Sequence, residues 1–435
     1  MKRRLLYKLT EWKVHPLRMP LILRGARQVG KSWLVDEFGK QFKSFIKINF
    51  DKQEKAKTIF EGDINIANIL EKLSLYAGEA IIPGETLLFF DEAQECENCL
   101  KALRYFKEEC KELHVIAAGS LIDFALEKIG VPVGRVQFMY LYPMSFAEFL
   151  TANDREDLNQ YIHLKKSDPL FHEMINDFLK TYLWLGGMPA VISAWLQYKN
   201  ATVCQELQDD IILSYRQDFE KYARKKQIDH VEKVFESIPV QIGRKFKFTA
   251  VDNDLKVPPI KLALSLLVKA GIAHPCYHSS GQTHILGAEK DSKKFKVFFV
   301  DVGLLQRMLG LDLKDWVTQP LDLKLLGGIA EQLVAQEFIA YSKSNAPAEL
   351  YYWHREEKNS NAEVDFLFVR KGRIVPVEVK SGMKGGMKSL KSFLDSHPNS
   401  PRGLKISNNV YSSQHSLEEI PLYGIDAWLN DDTPS

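Results

Sequence analysis

Short apolar runs alternate with helix-like patterns between residue 20 and about residue 150. Four runs have the length and continuity of buried strands: Leu21–Arg24, Phe45–Phe50, Leu87–Phe90 and Val115–Ala118. The segments between these runs repeat their apolar residues at helical spacing. Parallel strands that are joined by helices are buried on both faces, and their sequences are therefore apolar without interruption. The alternation predicts an α/β domain with a mostly parallel sheet.

The pattern changes beyond this domain. Residues 151–222 have mainly helical spacing, interrupted at Gly186–Pro189. Between residues 228 and 290, two amphipathic segments precede two strand-like runs, Ile272–Tyr277 and Thr283–Leu286, which is the order of elements in a winged helix. The C-terminal part has one predicted helix and then three predicted strands: Gly328–Ser342, Glu349–Trp353, Val364–Val369 and Ile374–Val379.

Composition places the chain among soluble globular proteins. Of its 435 residues, 45% are hydrophobic and 26% are charged, and 58 basic against 56 acidic side chains give a formal net charge of +2. These values exclude a disordered chain and a histone-like polycation, so any nucleic-acid contact must come from local patches. Five cysteines are too few for a disulfide framework, which favours a reducing cytoplasm. We find no signal peptide and no apolar stretch of the roughly 20 residues that a membrane span needs.

We therefore expect a cytoplasmic protein of four units. The boundaries follow the changes of pattern: residues 1–150, 151–227, 228–315 and 316–430. The first is the α/β domain, the second is a helical lid or linker, the third is the winged-helix-like unit and the fourth is the C-terminal domain.

A phosphate-binding loop follows the first predicted strand. The sequence from residue 25 to residue 32 matches GxxxxGK[ST] without deviation, and an amphipathic helix follows it. The glycines allow backbone N–H groups to surround phosphates at a helix N-terminus. We expect Lys31 to contact the β- and γ-phosphates of ATP and the Ser32 hydroxyl to bind Mg²⁺. The predicted nucleotide-binding residues are Gly25, Ala26, Arg27, Gln28, Val29, Gly30, Lys31 and Ser32.

Two carboxylates end the third predicted strand. Asp91 and Glu92 directly follow Leu87–Phe90. At the carboxyl end of a strand beside the phosphate loop, Asp91 would bind Mg²⁺ directly or through water, and Glu92 would act as general base on the attacking water. The acidic pair favours ATP hydrolysis over nucleotide binding alone.

Other polar residues are candidates for completing the ATP site. Ser120 follows the strand Val115–Gly119 and is placed either to sense the γ-phosphate, the role called sensor 1, or to cap the next helix. An arginine from a neighbouring subunit would complete the site. Arg135 is the first candidate, because it lies on a glycine-containing loop, and Arg104 is the second. Either arginine is equally compatible with an ordinary surface charge.

The C-terminal domain contains a predicted hairpin that brings carboxylates together. If Lys371 and Gly372 are the two central residues of a tight turn, Asp365 lies opposite Glu378 and Glu363 lies opposite Lys380. These four side chains share one face of the hairpin. Facing carboxylates at this distance repel each other. A divalent cation with oxygen ligands, Mg²⁺ or Mn²⁺, would remove the repulsion. The alternative is a solvent-facing hairpin in which Lys380 pairs with Glu363 or Glu378.

Metal-assisted cleavage of a phosphodiester is the chemistry that such a site would perform. Asp365 and Glu378 would hold the metal, Lys380 would orient the attacking water, and Glu331 would supply a further ligand or an outer base. A basic stretch beside this set would attract a phosphate backbone; its members are Lys371, Arg373, Lys380, Lys384, Lys388 and Lys391.

The two motif sets, in this order, resemble a widespread family of prokaryotic P-loop ATPases. Its members join an AAA+-type ATPase domain to a C-terminal domain similar to PD-(D/E)XK restriction endonucleases. Leu141–Phe149, Gly186–Pro189 and Asp301–Leu305 share the resemblance. The resemblance implies a nucleotide site at Gly25, Gly30, Lys31, Ser32, Asp91 and Glu92. It also implies a nuclease-like set at Glu331, Asp365, Glu378 and Lys380, although Val364 stands where proline is usual. AAA+ relatives generally work as rings, which implies a homo-oligomer.

Three functions are compatible with these motifs. In the first, ATP hydrolysis licenses or positions a metal-dependent nuclease that acts on nucleic acid, with DNA favoured. In the second, the protein is an ATP-dependent regulator or scaffold whose C-terminal domain only binds nucleic acid or a partner protein. The third is a nucleotide-switched signalling ATPase with no nucleic-acid substrate. The complete acidic set with Lys380 favours the first.

Overall fold

The chain is built on two sheets joined by a helical region. In the computed structural model, the described residues are 1–130, 134–311, 327–355, 362–380, 387–414 and 416–431. Among the helices of these segments, none is both long and apolar enough to cross a bilayer.

The first sheet has five parallel strands. They are β1 (Leu21–Arg24), β2 (Ser44–Asn49), β3 (Thr86–Asp91), β4 (His114–Ala118) and β5 (Gln137–Tyr140), in the order β2-β3-β4-β1-β5. The first four strands and their parallel pairing are confirmed. Strand β5 is missed by the sequence pattern, because four half-buried residues at a sheet edge carry little periodic signal.

Helices surround this sheet and continue into the middle of the chain. Those beside the sheet are α1 (Leu5–Val14), α2 (Lys31–Gly39), α3 (Ile66–Ala77), α4 (Glu97–Glu109) and α5 (Ile122–Ile129). The predicted helical region contains α6 (Phe146–Ala152), α7 (Glu156–His163), α8 (Pro169–Leu185), α9 (Pro189–Tyr198) and α10 (Ala201–Tyr222). Side-chain caps begin several of these helices: Ser145 and Glu148 form a reciprocal capping box at α6, and Asp168 caps α8.

The second sheet has eight strands of mixed direction. They are β6 (Ala273–Ser279), β7 (Lys290–Phe299), β8 (Leu350–His354), β9 (Glu363–Arg370), β10 (Arg373–Val379), β11 (Gly403–Ser407), β12 (Ser412–Gln414) and β13 (Leu417–Pro421). Their order is β12-β13-β11-β10-β9-β8-β6-β7. The helices of this half are α11 (Ile228–Val240), α12 (Val257–Lys269), α13 (Val302–Met308), α14 (Gly327–Ala340), α15 (Lys388–Ser396) and α16 (Ile425–Leu429).

The predicted winged-helix unit differs from the structure in its strands. The two helices and β6 are present, but the partner of β6 is β7 rather than Thr283–Leu286. Strand β6 also pairs in parallel with β8, so the hairpin belongs to the same sheet as the C-terminal strands. The sheet thus spans residues 273–421 and crosses the predicted unit boundary at residue 316. Pairing between strands distant in sequence leaves no local signal, which is why the pattern did not predict it.

The predicted C-terminal hairpin has the expected register. Strands β9 and β10 pair with Arg370 opposite Arg373 and with Phe366 opposite Val377. Lys371 and Gly372 both have positive φ, 50° and 75°, as a type I′ turn requires. Continued by one position, this register places Asp365 opposite Glu378, just beyond the last paired residues.

Candidate nucleotide site and carboxylate cluster

The loop between β1 and α2 has the backbone of a phosphate-binding loop. Gly25, Gln28 and Gly30 all have positive φ, with 67° at the non-glycine Gln28. A side chain at Gly25 would overlap the carbonyl oxygen of Leu141, so glycine is required there by both backbone angle and space. The loop ends at the N-terminus of α2, where free backbone N–H groups favour an anion.

Lys31 is folded back onto the loop that precedes it. Its Nζ donates to the carbonyl oxygens of Gly25 and Ala26, both at 2.8 Å. The side chain is buried, and burial lowers the pKa of Lys31 to about 8, against the smaller opposing influence of Glu92 and Asp91. The ammonium is therefore held by neutral oxygens at the place where a phosphate would arrive.

Ser32 and Asp91 are hydrogen-bonded across the gap between α2 and β3. The Ser32 hydroxyl donates to Asp91 Oδ1 at 2.9 Å, and Asn49 Nδ2 donates to Asp91 Oδ2 at 3.2 Å. A hydroxyl and a carboxylate next to a phosphate loop are the oxygen donors that Mg²⁺ uses with a bound nucleotide. These residues fit the predicted Mg²⁺ of MgATP. Asn49 ends β2 beside Asp91 in the parallel register, a proximity that only strand pairing reveals.

Glu92 is held by a side chain that the sequence analysis did not single out. Gln94 Nε2 donates to Glu92 Oε2 at 2.7 Å, while Gln94 Oε1 is buried without a hydrogen-bond partner. A Cβ at Gly119 would overlap Gln94 Oε1, so glycine at the end of β4 leaves the space that Gln94 fills. The position of Gln94, two residues after Glu92, was the only signal available in the sequence.

Ser120 follows β4 at the carboxyl ends of the parallel strands, whereas Arg135 lies at their amino ends. Ser120 shares with Gly25 and Ala26 the wall of a cavity of about 290 Å³. The N-cap of α5 is Leu121, so the alternative role of Ser120 as that cap is not observed. Arg135 precedes β5 at the edge where β1 begins, opposite the phosphate loop. Arg135 and Arg104 both bind Glu108, at 2.8 and 3.1 Å, and neither reaches the loop of its own chain.

Residues from the helical region cover the phosphate loop. From α10, Tyr215 donates to the carbonyl oxygen of Arg27 at 3.0 Å, and Asp218 forms an ion pair with the Arg27 side chain. At the N-terminus of the chain, Arg3 Nη1 donates to the Val29 carbonyl oxygen at 2.9 Å. Pro189, the first residue of α9, lies 3.4 Å from where a Cβ on Gly30 would be. The start of α9 thus touches the loop directly.

A buried network joins the start of α9 to the second sheet. The Gly187 N–H donates to Asp301 Oδ2 at 2.6 Å, and Asp301 Oδ1 accepts from the first N–H groups of α13. From α14, Gln336 Nε2 donates to the Tyr182 hydroxyl at 2.9 Å, and Glu337 accepts from the Phe146 N–H at 2.9 Å. Three segments that carry the family resemblance therefore meet here: Leu141–Phe149, Gly186–Pro189 and Asp301–Leu305.

Four carboxylates converge in the second sheet and are called here the carboxylate cluster: Glu331, Glu363, Asp365 and Glu378. Asp365 Oδ2 accepts from the Val379 N–H at 2.8 Å, and Glu378 Oε1 forms an ion pair with Lys380. Glu378 Oε2 is buried without a hydrogen-bond partner. Burial and the neighbouring Asp365 raise the pKa of the Glu378 carboxyl.

Lys296, which the sequence analysis did not single out, occupies the centre of the carboxylate cluster. Its Nζ lies 2.9 Å from Glu331 Oε2, 2.9 Å from Glu363 Oε1 and 3.6 Å from Asp365 Oδ1. Burial alone lowers the pKa of Lys296, but the carboxylates outweigh burial and raise it well above its ordinary value. Glu331, predicted as a metal ligand or base, is instead the partner of this lysine.

The carboxylate cluster does not fit the predicted Mg²⁺ or Mn²⁺. Across the described segments, no group of three or more His, Cys, Asp or Glu side chains has the arrangement to hold a metal ion. A lysine ammonium lies where these carboxylates point. The solvent-facing alternative for the hairpin also differs from the structure, since Glu378 is buried, although its predicted pair with Lys380 is present.

Exposed basic side chains lie at the turn of the β9–β10 hairpin and on α15. Lys371 and Arg373 are exposed at the hairpin tip, and Lys388 and Lys391 are exposed on α15, which packs against the hairpin. Lys384, predicted to belong to the same basic stretch, lies outside the described residues.

Three family descriptions match successive parts of the chain. Residues 17–150 match the AAA domain family AAA_14. Residues 176–315 match a domain of unknown function, DUF8612, and residues 326–424 match another, DUF4143. No curated protein matches the chain.

Three solved structures align with about 70% of the chain at low identity. The Walker-type ATPase PABY2304 of Pyrococcus abyssi has 14% identity and a TM-score of 0.45, covering 71% of this chain and 95% of that one. The ORC1 protein of Aeropyrum pernix in complex with DNA has 12% identity and a TM-score of 0.27, covering 73% and 94%. Drosophila ORC bound to DNA has 14% identity and a TM-score of 0.23, covering 70% and 85%. The match to the AAA domain family over residues 17–150, together with the phosphate-loop motifs, identifies this N-terminal part of the chain as an AAA+-type P-loop ATPase domain.

Proposed function

We propose that this protein is an ATP-hydrolysing regulator whose C-terminal domain binds nucleic acid without cutting it, and whose ATP state is transmitted to that domain. The observation that carries the ATPase part is the meeting of Lys31, Ser32, Asp91 and Glu92 around one loop, with the Ser32–Asp91 hydrogen bond at 2.9 Å. Metal-dependent cleavage is left out of the proposal because Lys296 occupies the carboxylate cluster.

The ATP reaction would use the loop residues in defined roles. Lys31 would exchange its two carbonyl partners for phosphate oxygens, a charge-assisted contact that replaces two neutral ones. Ser32 and Asp91 would hold Mg²⁺, which supplies charge neutralisation for the phosphates when bound. Glu92 would accept a proton from the attacking water, with Gln94 fixing the orientation of its carboxylate.

A second subunit would complete the site. Arg135 lies at the end of the first sheet where β1 begins, away from the phosphate loop of its own chain, and Arg104 on α4 shares Glu108 with it. This position supports delivery of one of them to a neighbour's nucleotide, and both side chains are about half exposed, 46% and 54%. In this arrangement the active form is a homo-oligomer, and Ser120 would contact the γ-phosphate from within the same chain.

The contact between α9 and the phosphate loop supports transmission of the ATP state. Pro189 lies against Gly30, and Gly187 is bonded to Asp301, which α13 and α14 share. A nucleotide that moves the loop would shift the start of α9, and the buried network would carry that shift to the second sheet. Packed groups with discrete hydrogen-bond arrangements are suited to such coupling.

The C-terminal domain would bind nucleic acid through its exposed cations. Lys371, Arg373, Lys388 and Lys391 lie around one hairpin and the helix that covers it. Cations grouped on one surface bind a phosphate backbone with a marked dependence on salt.

ATP turnover by purified variants tests the ATPase part. We expect Lys31→Ala to lower turnover by orders of magnitude and to weaken nucleotide binding. Glu92→Gln should abolish turnover while keeping nucleotide binding, because only the proton acceptor is lost. Lys294→Met serves as a control on a distant surface. Wild-type turnover in Glu92→Gln would contradict the role given to that residue.

Hydrogen exchange tests the transmission of the ATP state. We expect a slowly hydrolysed ATP analogue to change amide protection in α14 of the wild type. Asp301→Asn removes the carboxylate that accepts from Gly187 and should suppress this change while nucleotide still binds. An unchanged response in Asp301→Asn would exclude the buried network as the route.

Gel-shift titrations test nucleic-acid binding. We expect the double substitution Lys371→Ser and Arg373→Ser to weaken binding of labelled DNA or RNA duplexes and to reduce its salt dependence. The double substitution Lys40→Ser and Lys43→Ser removes the same charge from the N-terminal domain, where these side chains are 70% and 75% exposed. Equal loss in both double variants would show that only net charge matters.

A further inference from the structure

The carboxylate cluster receives a lysine from a distant part of the chain. Lys296 belongs to β7, outside residues 326–424 that match DUF4143, whereas Glu331, Asp365 and Glu378 lie inside that range. Its side chain is 1% exposed. Because β7 adjoins β6 and β6 adjoins β8, the mixed sheet brings the lysine to acidic residues that are 35 to 82 positions later.

We infer that the Lys296 ammonium is the permanent cation of the carboxylate cluster and takes the place of a divalent metal ion. It contacts Glu331 and Glu363 at 2.9 Å and lies 3.6 Å from Asp365. An ammonium can donate three hydrogen bonds. Glu331 and Glu363 lie at hydrogen-bond distance, and Asp365 adds a longer ion pair. The C-terminal centre is then a completed ionic cluster rather than a metal site.

Backbone contacts on both sides of β7 hold Lys296 in position. Its backbone pairs with Cys276 of β6 on one side and forms a bridge with Lys245 on the other, so β7 is held at both edges at this point. The next residue toward the N-terminus is also tied, because the Phe246 N–H donates to the Phe295 carbonyl oxygen at 2.8 Å. The ring of Tyr352 lies 5.5 Å from the ammonium. The backbone of Lys296 is therefore fixed at the position from which its side chain enters the cluster.

The oxygens of the carboxylate cluster are largely committed to other partners. Asp365 Oδ2 accepts from the Val379 N–H and Glu378 Oε1 binds Lys380. Glu378 Oε2 is the oxygen of the cluster that is buried without a partner. A divalent ion at this position would have to share the space among these carboxylates with the ammonium, which already contacts two of them at 2.9 Å. Repulsion between the ammonium and a second cation adds to the mismatch.

Manganese binding tests this inference on the full, nucleotide-free chain. Free Mn²⁺ is measured by electron paramagnetic resonance, with titration calorimetry for stoichiometry. We expect wild type, Asp365→Asn and the control Lys294→Met, which changes a lysine two residues away on β7, to have the same Mn²⁺ binding. Lys296→Met should gain one Mn²⁺ per chain, because the carboxylates then lack a cation, and adding Asp365→Asn to it should remove that gain.

Two outcomes would overturn the inference. One is a folded Lys296→Met protein that gains no Mn²⁺. The other is Mn²⁺ binding by wild type that Asp365→Asn abolishes, a comparison that remains decisive if Lys296→Met does not fold. The inference extends the C-terminal part of the proposed function. ATP turnover measured on the same samples distinguishes failure of this inference from failure of the ATPase proposal. A wild-type protein that does not hydrolyse ATP would contradict the ATPase proposal and would not affect the assignment of the Lys296 ammonium.

Discussion

Lys31 and Lys296 are both buried ammonium groups with carboxylates nearby, yet their direct partners differ. Lys31 donates to two backbone carbonyl oxygens, and Asp91 and Glu92 act on it from further away. Lys296 contacts the carboxylates themselves. Burial therefore prevails at Lys31 and lowers its pKa, whereas ion pairing prevails at Lys296 and raises it.

The difference shows what each site is prepared to do. Neutral carbonyl oxygens satisfy the hydrogen bonds of Lys31 but leave its charge without a counterion, so an arriving phosphate gains a strong partner. The charge of Lys296 is already paired with two carboxylates, and an incoming cation meets an ammonium that is in place. The same pair of residue types thus forms an open ligand site in one sheet and a closed ionic cluster in the other.

Replacing each lysine by methionine should distinguish the two sites most strongly in ATP turnover. Lys31→Met should lower kcat by roughly 10²–10³-fold, the scale of losing one preorganised charge contact in a transition state. Lys296→Met should leave kcat of the folded protein within about twofold, because no atom of Lys296 contacts the phosphate loop. Steady-state phosphate release measures both, and a large loss in Lys296→Met would link the two sites.

The effects of the two substitutions on stability should have the opposite order, with the larger loss in Lys296→Met. Removing one partner from a buried ion cluster leaves charges uncompensated, so Lys296→Met should lower the free energy of unfolding by about 3–5 kcal/mol. Lys31→Met removes an ammonium that burial already penalises, and its stability should stay within about 1 kcal/mol of wild type. Urea unfolding followed by circular dichroism checks this, and equal losses would remove the distinction between the sites.

Gln94 offers a sharper test of the nucleotide site. Gln94→Ala removes the 2.7 Å hydrogen bond to Glu92 and should lower kcat by about tenfold, as expected for a hydrogen bond to a charged group of about 1.5 kcal/mol. Gly119→Ala should act in the same direction, because its methyl group displaces Gln94. ATP affinity should change little in both. A loss confined to KM would show that Gln94 serves binding rather than the orientation of Glu92.

Raising the pH should weaken the nucleotide site around Lys31. The pKa of Lys31 is lowered to about 8, so its ammonium becomes a neutral amine as pH rises through that value. Because phosphate binding needs the charged form, kcat/KM for ATP should fall above about pH 8. Lys31→Arg, whose guanidinium stays charged, should be flat over the same range even if its activity is low. A wild-type profile that is flat to pH 10 would contradict the assignment.

The hairpin turn should give the smallest effect. Lys371 has φ of 50°, a left-handed conformation that costs a non-glycine residue about 1 kcal/mol. Lys371→Gly should therefore raise stability by up to about 1 kcal/mol, and Lys371→Asn by less. Thermal unfolding measures the change. A destabilised Lys371→Gly would mean that side-chain contacts of Lys371 outweigh the strain.

Much of this protein was predictable from local pattern. The strands β1 to β4, the helical middle region and the register of the β9–β10 hairpin follow from periodicity and turn chemistry, because each depends on neighbouring residues. The phosphate loop and Asp91 carry their chemistry within a few positions. These features were accessible because the information that specifies them is contiguous in the chain.

The tertiary structure alone decided the partners across the chain. The pairing of β6 with β8, the contact of Asn49 with Asp91 and the entry of Lys296 into the carboxylate cluster each join residues that are 35 to 82 positions apart. Lys296 stands in the sequence as one lysine among several in an edge strand, and no local pattern marks it. Its role arises because the order of strands in the sheet, which the packing of the whole chain decides, places its ammonium among acidic side chains. From the sequence, these side chains were predicted to bind a metal ion.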